Sequence, residues 1–462
     1  MMKLLSNYLL TVLFLLLGLN SFGQFQLSGK FTELSNEKIQ LIGFEGFDAY
    51  EIASTQANEN GEFSVNFSND DYGMGYLSVN ENQNYILILE KSDIRLEGKD
   101  LASTDLIRIV KGEENKLFSE FSSFYSLQRN AVSAWNYLGQ LYQNYPQFQK
   151  NSDTSKLIRD EIFHLQQFEK NLRSKLPEDS YVSWFIPIRK VVSEVQEIAQ
   201  RNQAAIPKTI DFFRKLDYTD ERLYKSGLFR ESIEMHYWLI ENSGKPLDLV
   251  YQEMNKSTDI LTKNLKNEPY KLNDVTAYLF QFLEKRSLFT ASEYLAESLL
   301  NDEGCVLEDQ VVSQLEIYRK MKIGNKAPDI EFPKGLKRSG ANMEEKKLSE
   351  INSNYKVIAF GSSWCPACVK EIPKLQESYP NWKEKGVEIV FISLDTDQKK
   401  YSSFANQFSF LSYCDFEKWQ TKAVKDYFVN ATPTLYLLDK DNNILLRPNS
   451  YEHLKAWIEQ KI

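Results

Sequence analysis

Trp364-Cys365-Pro366-Ala367-Cys368 decides the reading of this chain. It follows Lys356-Val357-Ile358-Ala359-Phe360, a short apolar run with two β-branched residues, closed by the turn-forming Gly361-Ser362-Ser363. The expected local order is a buried strand, a turn, and a helix opening at the cysteines. Pro366 falls in the first helical turn, where its missing N–H costs nothing and its fixed φ suits the helix. Positions i and i+3 share a helix face, so Cys368 lies beside Cys365 and can attack a mixed disulfide formed there. Cys365 meets the unpaired N–H groups and the positive end of the helix dipole, and in such sites a thiol pKa of about 8.5 falls to roughly 3.5–7.5. Cys365 is therefore the expected nucleophile, Cys368 the resolving thiol, and Cys365–Cys368 the redox disulfide.

Two other chemistries compete for a Cys-x-x-Cys pair: half of a zinc site, or an inert bridge. A structural zinc site wants four ligands, commonly in two close pairs. The remaining candidates are isolated Cys305 and Cys414 and the scattered His164, His236 and His453, so no metal is expected. Cys305 and Cys414 read as small idle or buried thiols, with a bridge between them left open.

Downstream, Val387-Glu388-Ile389-Val390-Phe391-Ile392-Ser393-Leu394-Asp395 reads as a second buried strand, followed by a polar helical segment through Gln398–Gln407. Then come Ala431-Thr432-Pro433-Thr434, a strand Leu435–Asp439, a turn at Lys440–Asn443, a strand Ile444–Leu446 and a closing helix from about Tyr451. Strands and helices alternate up to Thr432-Pro433-Thr434, and a hairpin follows. The proline sits immediately before a strand, where a loop facing the cysteines is expected.

With these residues in place the chain resembles the thioredoxin-fold family, and more narrowly the extracytoplasmic reductases of the TlpA and ResA kind. Trp364, Cys365, Cys368, Glu371 and Pro373 match Trp-Cys-x-x-Cys-x-x-Glu-x-Pro, and Thr432, Pro433 and Thr434 match the Thr-Pro-Thr loop. Gly324-Asn325-Lys326-Ala327-Pro328-Asp329 looks like the leading strand of that family. The resemblance covers about residues 323–462. It implies a C-terminal α/β thioredoxin fold and thiol-disulfide oxidoreductase activity of the protein-disulfide reductase type. It further implies a cis Pro433, with Thr432 turning its backbone to a bound partner that lies alongside as an added strand. Glu371 would be a partly buried carboxylate exchanging protons with the resolving thiol, against the plainer alternative of a solvated first-turn glutamate. Trp364 would shield the thiols and help bind substrate, against a plain core tryptophan. Pro373 should kink the helix. No small-molecule cofactor is implied.

The chain departs from the family inside the dithiol loop. Pro366-Ala367 places proline first, where these relatives usually carry it second, and the two intervening residues help set redox potential.

The N-terminus supplies a compartment. Met1-Met2-Lys3 is a short basic start, Tyr8–Leu19 an apolar run, and Ser21-Phe22-Gly23 offers small residues for cleavage before Gln24. Residues 1–23 are expected to be a secretory signal peptide, since an uncut anchor would need about 20 apolar residues. No cysteine follows the run to carry a lipid. A periplasmic or cell-envelope location follows, where a dithiol needs an electron donor or else works as an oxidant.

The chain has 462 residues, 42% hydrophobic and 13% aromatic, enough to bury two or three cores. A net charge of −9 argues against nucleic acid or an anionic membrane surface as a main partner. Residues 24–112 read as strands: Phe25–Phe31 alternates, Asn60-Gly61 is a turn before Phe63–Phe67, and Tyr85–Leu89 is apolar. An antiparallel sandwich-like domain is expected there, resembling the β-rich domain of unknown function that precedes thioredoxin-like domains in secreted bacterial proteins.

Residues 113–322 switch to helical periodicity. Ile158, Ile162, Leu165, Phe168, Leu172 and Leu176 recur at spacings of three and four. Breaks at Pro146, Pro177, Pro207, Gly244-Lys245-Pro246 and Pro269 predict seven to nine helices. The stripe Phe118, Phe121, Phe124 and Tyr125 is expected in a core rather than a groove. Ile323–Pro333 reads as a linker to the thioredoxin-like domain at 323–462.

The expected function is disulfide exchange with protein substrates bearing disulfides or dithiols; the family resemblance further implies recharging by a membrane electron-donor protein. Two alternatives stand beside it. One is a non-enzymatic envelope binding or scaffold protein with an appended thioredoxin domain. The other is a peroxiredoxin-like peroxidase, which would need a Pro-x-x-x-Thr-x-x-Cys loop that the residues before Cys365 do not supply.

Overall fold

A computed structural model of the chain describes residues 24–80, 83–148, 152–302 and 304–462. The segment read as a signal peptide, 1–23, lies outside the described residues. The chain packs as two compact units that divide between Ser243 and Gly244.

The first unit begins with eight strands in two four-stranded sheets. One has the order β4(Glu62–Ser68), β1(Gln24–Phe31), β7(Ile94–Gly98), β8(Arg108–Lys111). The other has the order β3(Asp48–Gln56), β2(Lys38–Glu45), β5(Gly73–Val79), β6(Gln83–Leu89). Alternation dictates the sandwich: Phe63, Val65 and Phe67 of β4 point inward and their neighbours face solvent. They meet Leu27 and Phe31 of β1, Leu41 of β2 and Leu77 of β5 in one core. Every strand pairing here is antiparallel except β1 with β7, which is parallel. Gly61 closes the turn into β4 at φ 71°, and a Cβ there would lie 1.8 Å from the Phe31 carbonyl oxygen, so glycine is obligatory.

Six helices complete this unit: α1(Glu113–Asn144), α2(Ser152–Arg173), α3(Tyr181–Arg201), α4(Ile206–Arg214), α5(Glu221–Tyr224) and α6(Leu228–Glu241). Buried Asn115 in the first turn of α1 accepts from Ile88 N and donates to Ile88 O, both at 2.8 Å, continuing the β6 ladder into the helix. The aromatic stripe of α1 divides its roles. Phe121 is buried and Phe124 packs on Phe168, yet Phe118, Phe121 and Tyr125 also line a cavity of about 1150 Å³. A core assignment alone is thus too simple, because a helix face one turn wide can border both packed side chains and open space.

The second unit opens with α7(Leu247–Leu265), α8(Pro269–Lys285), α9(Phe289–Leu300) and α10(Asp309–Lys320). With these, ten α-helices lie between residues 113 and 322 among the described residues. Proline marks only some breaks. The α8–α9 turn instead bends through Ser287 at φ 58°.

The C-terminal part is a seven-stranded sheet in the order β10(Ala341–Asn342), β9(Lys337–Arg338), β13(Leu411–Cys414), β12(Val387–Ser393), β11(Tyr355–Gly361), β14(Thr434–Asp439), β15(Ile444–Leu446). The strands β11, β12 and β13 run parallel, and β14 and β15 turn back antiparallel. Helices α11(Pro366–Glu384), α12(Gln398–Ala405), α13(Lys422–Asp426) and α14(Tyr451–Lys461) cover it. Both faces are buried, as an apolar run without alternation requires. Val357 and Ala359 of β11 face the core that holds Ile372 of α11 and Leu454 of α14, while Ile358 and Phe360 face that of Ala423 and Val424 of α13.

The stretch Ile323–Pro333 is not a free tether. Gly324 N donates to Ile444 O and Ala327 N to Asn442 O, each at 2.8 Å, and Ala327, Ile330 and Phe332 are buried in the sheet's core. Its apolar residues are too few to show a period, which is why it read as a linker.

Candidate active site

Strand β11 ends at Gly361 and delivers the chain to the N-terminus of α11 through a turn held by one buried carboxylate. Asp395, just past β12, accepts from Ser363 N at 3.1 Å, Ser363 Oγ at 2.6 Å and Ser393 Oγ at 2.7 Å. Leu394 N donates to Gly361 O at 2.8 Å. Each of these donors would be costly to leave unpaired at such depth, so the turn has one arrangement. In the sequence Asp395 is only the end of an apolar strand. Ser393 is two residues away, but Ser363, whose turn the carboxylate holds, lies 32 residues away, out of reach of any local pattern.

Cys365 is the N-cap of α11, and its sulfur accepts from Cys368 N at 3.3 Å. Pro366 takes the first helical position. Both cysteines are thiols here, Cys365 with 7% of its surface exposed and Cys368 with none. Gly361 makes room for the second: a Cβ there would come within 3.3 Å of Cys368 Sγ and 3.1 Å of the Phe391 ring.

The two thiols are pushed apart in acidity. Burial opposes ionisation of Cys365, but hydrogen bonds from the Cys368 thiol, the Thr432 side chain and the N–H groups of Cys368 and Ala367 outweigh it, holding Cys365 below the ordinary thiol value. Burial, reinforced by the hydrogen bond to Cys365, pushes Cys368 up to about 12. Cys365, which keeps a little exposed surface, is thus disposed to be a thiolate, and its enclosed neighbour to hold its proton.

Across from the thiols, the Thr432–Pro433 peptide bond is cis and Cys365 Sγ lies 3.3 Å from Thr432 O. Trp364 is 44% exposed, its indole N–H donating to Leu394 O at 3.3 Å and its ring edge-on to Trp419, with Lys418 Nζ 5.1 Å over the face. It is a surface aromatic rather than a core one. Glu371 lies one turn beyond Cys368 and pairs with Lys374 Nζ at 2.9 Å, so its polar contact runs along the helix. Pro373 and Pro380 both lie within α11. Beside cis-Pro433 opens a cavity of about 290 Å³ bordered by Glu371, Ile372, Thr432 and Pro433, and also by Lys285, the last residue of α8, and Ser287 of the α8–α9 turn.

The other cysteines do not join this site as a disulfide. Cys414 Sγ donates to Asp395 O and burial raises its thiol to about 11, whereas Cys305 donates to Asp302. No helix among the described residues is long and apolar enough to cross a membrane.

Residues 323–447 match the AhpC/TSA family model. Over 146 residues the chain is 30% identical to the thiol-disulfide oxidoreductase ResA of Bacillus thuringiensis, and equally to that of Bacillus anthracis. Each match covers 30% of this chain and 79% of the relative. A crystal structure of a thioredoxin-like protein from Bacteroides caccae aligns at 19% identity and a TM-score of 0.38, over 55% of this chain and 94% of that one. Through its dithiol-bearing C-terminal domain, the chain belongs to the ResA family of thiol-disulfide oxidoreductases.

Proposed function

We propose that this oxidoreductase works outside the cytoplasm as a reductase of disulfides in protein substrates. The observation that carries the reading is the opposed acidity of two adjacent thiols, Cys365, which keeps 7% of its surface, lowered and the fully buried Cys368 raised. The thiolate of Cys365 attacks one sulfur of a substrate disulfide, forming a Cys365–substrate bond and releasing the other sulfur as a thiolate. Cys368 then gives up its proton and attacks Cys365 Sγ. The Cys365–Cys368 disulfide forms, the second substrate sulfur leaves, and two electrons have passed from protein to substrate.

Glu371, one turn past Cys368, is the group assigned to take that proton. Thr432 and cis-Pro433 hold the substrate chain as an added strand, with Trp364 covering the thiols. The apolar run at Tyr8–Leu19 directs export, and a membrane electron-donor protein returns the disulfide to the dithiol.

The test is the equilibrium reduction potential of Cys365–Cys368 in the full-length protein, read by mapped alkylation of the two thiols in glutathione or dithiothreitol buffers. A value near or below about −270 mV, that of thioredoxin, is expected. One near about −120 mV, that of a strong oxidant, would overturn the reductase direction.

The AhpC/TSA match lends a peroxidase reading some support. The positions that such a loop fills with proline and threonine are Ile358 and Ser362 here, which favours disulfide exchange over peroxide reduction.

A further inference from the structure

The geometry points to the α8–α9 turn as a wall of the substrate site, with Lys285 selecting protein segments that carry an acidic side chain next to their disulfide. This inference rests on the thiol-exchange reading above and names what that site prefers.

Three observations carry it. First, the turn is at the site: Lys285 and Ser287 border the same cavity as Thr432 and Pro433, and Thr432 O is in contact with Cys365. A chain laid along the cis-proline loop presents side chains on either side of its disulfide to that cavity.

Second, the turn is fixed. Glu284, immediately before Lys285, is buried and accepts from Arg447 Nη2 at 2.8 Å, while Glu293 of α9 accepts from Nη1 at 3.2 Å. Arg447 is itself buried, its guanidinium 4.1 Å over the Phe289 ring. Within the turn Ser287 N donates to Glu284 O at 3.0 Å and Leu288 N to Leu283 O at 2.9 Å. A fixed backbone sets the point from which Lys285 reaches toward the cavity, and only the rotamer freedom of its own side chain is left to be ordered by a partner.

Third, the charge is uncompensated. The other charged residue bordering the cavity, Glu371, already has Lys374 at 2.9 Å; Glu452 shares Lys374 at 3.6 Å but does not border the cavity. Lys285 is exposed and has no ion pair among the described residues. A carboxylate entering the cavity finds a cation, and an ammonium group meets repulsion.

The experiment uses pre-reduced full-length protein and peptides with one internal disulfide flanked by Glu, Gln or Lys, with hydroxyethyl disulfide as an uncharged reference. Second-order exchange rates are measured for the wild type and for Lys285→Glu. The ratio of Glu-flanked to Lys-flanked rates cancels any general change in activity. The wild type should favour the Glu peptide, and Lys285→Glu should lower the ratio about tenfold and reverse the preference, less so as salt rises. Exchange with every disulfide but no movement of the ratio would overturn this inference and leave thiol exchange standing. Exchange with none, hydroxyethyl disulfide included, would overturn both.

Discussion

In the N-terminal unit His236 is enclosed against the Phe213 ring at 5.3 Å, and burial, aided by Arg214, lowers its pKa to about 3, so it stays neutral. In the C-terminal unit Arg447 is equally enclosed and stays charged, because Glu284 and Glu293 reach it. A buried imidazole can shed its proton and so needs no counter-charge, though its ring nitrogens keep one donor and one acceptor to satisfy. A guanidinium cannot, so its burial demands carboxylates from other elements. The first device stabilises a local packing. The second fixes where two helices stand relative to the sheet that bears the thiols, and therefore what shape a substrate meets.

The sharpest way to separate scaffold from chemistry is at the thiols. Cys365→Ser should lower disulfide exchange by at least about a thousandfold, in the range seen when a nucleophile is lost. Cys368→Ser should instead accumulate a Cys365–substrate mixed disulfide, visible as an intact-mass adduct. Equal residual activity in both variants would remove the distinction between attacking and resolving sulfur.

A second contrast concerns the ion cluster. Glu284→Ala leaves Arg447 buried with only Glu293 and should cost roughly 3–5 kcal/mol in chemical denaturation of the C-terminal unit. Replacing Arg447, Glu284 and Glu293 together by apolar residues should come closer to the wild type, since the pair's own desolvation is then avoided. If Glu284→Ala were silent, the cluster would not be what fixes the helices.

The smallest effect is expected at His236, and only in acid. Its folded pKa lies below the unfolded one near 6.5, so its contribution is complete above about pH 6.5 and drains away as pH falls towards 3. Amide protection across α6, corrected for intrinsic exchange, should drop up to about tenfold per pH unit in that window. His236→Gln should flatten the slope, and a flat wild-type profile would break the contrast with Arg447.

The thiol site was legible because strand, turn, dithiol and first helical turn are contiguous, and residue type and spacing of three are enough to place Cys365 and Cys368. The alternation of Phe63, Val65 and Phe67 likewise foretold a sandwich face. What stayed hidden depends on distant partners. The parallel β1–β7 pairing joins residues more than sixty positions apart, and no hairpin signal announces it. Asp395 has meaning only beside Ser363, and Arg447 only beside Glu284. The α8–α9 turn carries neither glycine nor proline, so nothing marked Lys285 as facing the cis-proline loop.

The enclosure of Cys368 has a kinetic consequence. Of the two cysteines only Cys365 keeps any exposed surface, and its sulfur lies on the side of Thr432. An incoming reductant must therefore strike the same atom that struck the substrate, from the same approach. On the proposed reaction, substrate and electron donor alternate at one door rather than occupying the protein together, which predicts a ping-pong cycle in which each competes with the other. On the proposed reading, any preference set by Lys285 acts on the substrate and on the electron donor alike.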